Sequence, residues 1–163
     1  VINLNDYEIL VEEIQKSVPI IEKELYANTG CFGLYRNGRI YIEQTLELKR
    51  KKEILAEEYA HYKTSVGEII NQNSTEARKQ ENKARNYSYD ILVSLDDLIA
   101  CSEAGLNTHY DCAEFLNVSN NTLKKVFSYY QQKYGYTYFY KGRIFEFRDS
   151  SVMILNTGLL QNL

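Results

Sequence analysis

The chain contains no tryptophan, a single proline and only three cysteines. Cys31, Cys101 and Cys112 form no C-x-x-C pair and are odd in number, which points to small buried thiols in a reducing compartment rather than to a disulfide framework. No run of residues approaches the length of a membrane span. The amino-terminal stretch from Val1 to Ile14 is acidic, unlike a signal peptide, so a cytoplasmic location and no membrane partner are expected. Internal repeats and low-complexity segments are absent. A net charge of −3 argues against a protein built as a whole to coat nucleic acid, although a local basic patch is compatible with it.

What is present suits one domain, or one core with a small appendix, in 163 residues. Hydrophobic residues make up 44% and charged residues 25%, enough to bury a core without disulfides or metals. Tyrosine stands out with 15 copies, expected to serve as core aromatics with a wet hydroxyl edge.

Asn5 and Asp6 offer a cap for an amphipathic helix running to about Lys16, and Pro19 blocks its continuation. Ile20 to Leu25 reads as a strand, and Asn28-Thr29-Gly30 as a turn. The clearest local signal is a hairpin: Cys31 to Tyr35, a type I′ turn at Asn37-Gly38, then Ile40-Tyr41-Ile42. Thr45 is expected to cap the next helix, whose basic run Lys49 to Lys52 reads as solvated surface. Thr64 to Gly67 should end it, and Asn71 to Ser74 should form a loop. A second charged helix is expected from about Thr75 to Val93, with apolar positions at Ala77, Ala84, Tyr87, Ile91 and Leu92.

The stretch Ile54-Leu55-Ala56-Glu57-Glu58-Tyr59-Ala60-His61-Tyr62 carries the chemistry. Glu57 and His61 are spaced i, i+4, so both leave the same helical face and can converge on one ion. Glu58 is rotated from them by about a third of a turn, where a general base could address a metal-bound water. This is the mechanical logic of the H-E-x-x-H zinc helix with Glu in the first ligand position. A solvated acidic face with one histidine is the other reading. Glu81 lies on or near the apolar stripe of the second helix, a costly place for an unpaired carboxylate. His109, the other histidine, follows a helix cap and reads as a surface or satisfied residue. Tyr62 could donate to an oxyanion or belong to the core.

Asp96 and Asp97 open a further helix that Gly105 stops. Ala113 to Ser119 then has the look of a helix-turn-helix, followed by a helix from Asn120 to Tyr134. A Tyr/Phe-rich hairpin turned at Lys141-Gly142 resembles a wing, and the tail beyond Ser150 is expected to fray at its polar end. Residues 113–148 are the candidate DNA contact, with six basic against three acidic residues between Asp111 and Arg148. A packing module is the alternative for this unit.

In order and spacing, Gly33-Leu34-Tyr35, Gly38-Arg39-Ile40, the Glu57 to His61 helix, Thr64 to Gly67, Gln80 to Arg85 and the Ala113 to Ser119 turn resemble the ImmA/IrrE family of small metallo-endopeptidases. Short prophage-encoded members are the nearest type. The resemblance implies an α+β fold: a zincin-like core with a short sheet and active-site helices (1–105), then a helix-turn-helix or winged-helix-like unit with a C-terminal hairpin (106–163). It places metal ligands at Glu57, His61 and Glu81 and the general base at Glu58, with Ala84 following in the family's E-x-x-A setting. It implies zinc as cofactor and a helix-turn-helix repressor as the protein partner to be cleaved. Two carboxylates and one imidazole form a harder site, which favours Mn²⁺ or Fe²⁺ relative to zinc and makes bound water less acidic. A metal-free regulator of the same fold, binding a repressor or DNA without cleavage, is the alternative.

Overall fold

The computed structural model describes residues 4–65 and 75–159, and the chain divides into two compact units, Val1–Leu92 and Val93–Leu163. The architecture is mixed α+β with two small sheets. The expected Val66-Gly67 stop, the Asn71 to Ser74 loop and the last four residues of the tail lie outside the described residues.

The first unit opens with α1 (Asp6–Gln15), fixed by a capping box in which Asn5 and Glu8 each accept from the other's backbone N–H. Next come β1 (Ile20–Lys23), the short α2 (Tyr26–Thr29), β2 (Gly33–Arg36) and β3 (Arg39–Glu43). The segment read as a turn at Asn28 is the end of α2, closed by Gly30 at φ 72°. Asn37 and Gly38 both adopt positive φ, as the type I′ turn between β2 and β3 requires. The sheet order is β1-β3-β2, with β1 parallel and β2 antiparallel to β3. Ile40 and Ile42 of the central strand are fully buried and pack with Tyr7, Ile14, Val18, Ile54 and Leu55.

Two long helices complete the unit: α3 (Leu48–Thr64) and α4 (Thr75–Leu92), which pack on each other. Thr45 does not cap α3. Glu47 holds the cap position without a side-chain bond, and the Thr45 hydroxyl donates instead to Glu43. The Glu43 carboxylate is buried and also accepts from the backbone N–H groups of Leu25, Tyr26 and Thr45. The basic run is not a purely solvated surface: Lys51 is buried against Glu22 at 2.6 Å, and Lys52 reaches Asp6 at 3.6 Å. On α4, Ala77, Ala84, Ser88 and Leu92 are buried, whereas Tyr87 is exposed.

The second unit runs α5 (Leu95–Glu103), α6 (His109–Leu116), α7 (Asn120–Tyr134), then β4 (Thr137–Tyr140), β5 (Arg143–Arg148) and β6 (Ser151–Asn156). Ser94, Thr108 and Ser119 cap the three helices through their side chains, and Gly105 follows α5 at φ 72°. The expected hairpin is extended to three antiparallel strands, because the apolar tail pairs with β5 from Ser151 to Asn156. Phe145 and Phe147 on β5 and Tyr130 on α7 form its aromatic core, with the Tyr130 hydroxyl donating to the Val93 carbonyl at 2.6 Å.

Candidate metal centre

Helix α3 presents its polar seam because its other side is spent on packing. Ile54, Leu55, Ala56 and Ala60 are buried, which turns Glu57 outward and leaves His61 one turn further on the same side. The small residues Ala56 and Ala60 on α3 and Ala77 and Ala84 on α4 are buried, and side chains of that size let two helices approach closely. Glu81 of α4 is thereby brought to the α3 seam.

One ligand atom from each of Glu57, His61 and Glu81 lies within 4.8 Å of the others. The His61 Nε2 to Glu81 Oε2 distance is 4.0 Å. His61 is three-quarters buried and Glu81 about half, so the cluster is open to solvent on one side. The other Glu81 oxygen is 3.5 Å from the Arg85 guanidinium, one turn along α4. Among the described residues no Lys or Arg forms an ion pair with Glu57.

Glu58 sits deeper, against the sheet. Its Oε2 accepts the Tyr35 backbone N–H at 2.7 Å. Burial pushes its carboxyl up to about 7; His61 and the Tyr35 N–H oppose the rise, and the charges of Glu57 and Glu81 add to it. Gly33 makes this fit achievable, since a Cβ there would collide with Ile54 and come within 2.9 Å of Glu58 Oε1. A carboxyl near neutrality beside a cluster of metal-ligand side chains can take and return a proton.

The donor set suits a divalent first-row metal: one imidazole and two carboxylates, clustered, facing solvent and held by two packed helices.

Other expected residues fall elsewhere. The Tyr62 hydroxyl reaches the Ser17 carbonyl at 3.4 Å and its ring packs on Tyr35 and Tyr59, which takes it away from an oxyanion role. His109 lies in the second unit with its ring over Phe127. The strand of Ile40 to Ile42 is flanked on both sides by β1 and β2, so it has no free edge to pair with an extended substrate. Sequence reasoning gave no role to Arg85, the Tyr35 N–H or the space at Gly33. The i, i+4 spacing of Glu81 and Arg85 could have signalled the first; backbone contacts between distant segments leave no local signal.

A family model described as Peptidase_M78, IrrE N-terminal-like domain, matches residues 6–128, about three quarters of the chain. No curated protein and no solved structure matches.

Proposed function

Because the chain belongs to the IrrE N-terminal-like peptidase family, the metallopeptidases of ImmA/IrrE type, we propose that it is a metal-dependent endopeptidase that cleaves or otherwise inactivates a helix-turn-helix repressor of a phage or mobile element. The observation that carries this reading is the meeting of Glu57, His61 and Glu81 beside a buried Glu58.

Glu57, His61 and Glu81 would hold the metal, with zinc the family's ion and Mn²⁺ or Fe²⁺ suited to the harder donors here. When bound, such an ion polarises a carbonyl and acidifies water. Glu58 takes a proton at its carboxylate and returns it to the leaving amine, anchored meanwhile by the Tyr35 N–H. Arg85 steadies Glu81 through one oxygen and leaves the other facing His61. An extended substrate would lie along β2, the strand of the sheet that adjoins Glu58 and has only β3 as neighbour.

The alternative, a regulator that binds without cutting, draws support from the same Arg85 contact, which pairs Glu81 with a cation that is not a metal. Comparison of protein N-termini in cells expressing the parent or Glu58→Gln separates the two. A new N-terminus within a repressor, produced by the parent alone, supports the peptidase; identical N-termini in both favour the binding role.

A further inference from the structure

We propose that the exposed face of α7 binds the major groove of duplex DNA, making the second unit a nucleic-acid-binding module that does not depend on the metal centre.

Helices α6 and α7 follow each other across a short turn, in the order of a helix-turn-helix. An eight-residue helix ends at Asn117, whose left-handed conformation (φ 52°) breaks the helix, and α7 starts after Ser119. Ala113 and Leu116 on α6, Val118 in the turn, and Leu123 and Val126 on α7 are buried, the apolar sides of a packed pair. Phe127 and Tyr130 extend that buried stripe along α7.

The opposite side of α7 has an unusual composition. Asn120, Asn121, Lys124, Lys125, Ser128 and Gln132 lie within one arc of the helix, at least partly accessible and without a carboxylate or an apolar side chain. The whole of α7 contains no Asp or Glu. A face that only needed to stay soluble would have no reason to exclude acids. Asn and Lys are residue types that hydrogen-bond purine edges and phosphates in the major groove, whose width of about 12 Å admits one α-helix. In helix-turn-helix proteins the N-terminal residues of the second helix make those contacts, which is where Asn120, Asn121, Lys124 and Lys125 stand.

Ion pairing locates the contact on the helix rather than on the hairpin. Lys141 is paired with Asp96, Arg143 with Glu103 and Arg148 with Glu146. Among the described residues Lys124 and Lys125 have no ion pair, and Asn120 and Asn121 have no side-chain hydrogen bond. The free positive charge of the unit is therefore concentrated on the first turns of α7, complementary to a polyanion.

Fluorescence anisotropy of the full chain with a short labelled duplex of mixed sequence tests this without requiring metal or cleavage. The parent should bind with an affinity that falls steeply with salt. Lys124→Ala combined with Lys125→Ala should weaken binding by about tenfold or more and reduce the slope of log affinity against log salt by about two. Lys141→Ala, which removes a cation already paired with Asp96, should leave both nearly unchanged. Both lysines are exposed, so the melting temperature of the double variant should match the parent and certify its fold. Absence of duplex binding by the parent, or equal binding by the double variant, overturns the proposal. Competition by polyglutamate as effective as by unlabelled duplex also overturns it, in favour of an acidic protein partner.

Discussion

The Tyr35 backbone N–H donates to Glu58 Oε2 at 2.7 Å, tying α3 to β2 through the side chain adjacent to the candidate ligands. Tyr35 and Ile40 form a non-hydrogen-bonded pair of the antiparallel ladder, so the Tyr35 N–H points away from β3 and is available to Glu58. The carboxylate is thus positioned by main chain, which has fewer ways to yield than a side chain. Burial raises its pKa, and the N–H bond partly offsets that rise by favouring the charged form.

Glu58→Gln keeps the shape and can still accept the Tyr35 N–H, but cannot carry a proton. The variant should fold and bind metal as the parent does and lose cleavage by about 10²–10⁴-fold. Metal content and repressor cleavage measured side by side check this. Cleavage at parental rate would remove Glu58 from the mechanism.

Gly33→Ala tests how tightly β2 and α3 are matched. The new methyl meets Ile54 and both Cγ and Oε1 of Glu58, so those two side chains must shift. The expected cost is about 1–3 kcal/mol, typical of overpacking, together with loss of activity from a displaced Glu58. Thermal unfolding and cleavage of the same preparation measure both effects; a variant as stable and active as the parent would show that the contact can relax.

Much of the fold was legible because it is written in local chemistry. The Asn37-Gly38 turn, the Asn5 and Ser119 caps and the α6–α7 turn each depend on a few adjacent residues, and each forms as expected. The i, i+4 spacing put Glu57 and His61 on one face, but the arrival of Glu81 needed the packing of α4 on α3, which resemblance supplied and periodicity did not. Buried charges were the main blind spot. Lys51 read as surface because its partner, Glu22, is 29 residues away, and Thr45 read as a cap because the carboxylate that takes its hydroxyl, two residues before it, is itself held in place by the distant backbone of Leu25 and Tyr26. Strand β6 was missed because an apolar tail looks the same whether or not a strand waits to pair with it.

Glu43 gives a pH prediction. Backbone N–H groups of Tyr26 and Leu25, with further bonds from Thr45, hold its carboxyl at about 2, below the ordinary value of 4.5. A depressed folded-state pKa contributes stability that is complete above about 4.5 and is lost as pH falls toward about 2. Glu43→Gln should lower stability at neutral pH and flatten the stability profile across that acid window. Denaturant unfolding of both proteins between pH 7 and the acid limit checks it, and parallel profiles would contradict the assignment.

Glu57→His rebuilds the common H-E-x-x-H helix without altering the i, i+4 geometry. Imidazole in place of a carboxylate should raise zinc affinity, provided its second nitrogen finds an acceptor. Because no Lys or Arg pairs with Glu57 among the described residues, the substitution strands no cation. Zinc titration of parent and variant reads the change; unaltered affinity would count against position 57 as a ligand.

The most direct measurement is elemental analysis of the full chain, purified without added metal or chelator, beside His61→Ala prepared in the same way. The cluster of Glu57, His61 and Glu81 should hold close to one equivalent of zinc, manganese or iron in the parent, and His61→Ala should lose it while keeping the parent's circular dichroism. A parent reproducibly free of metal, even after dialysis against each ion, would contradict the metal centre and leave the binding role as the function of this fold.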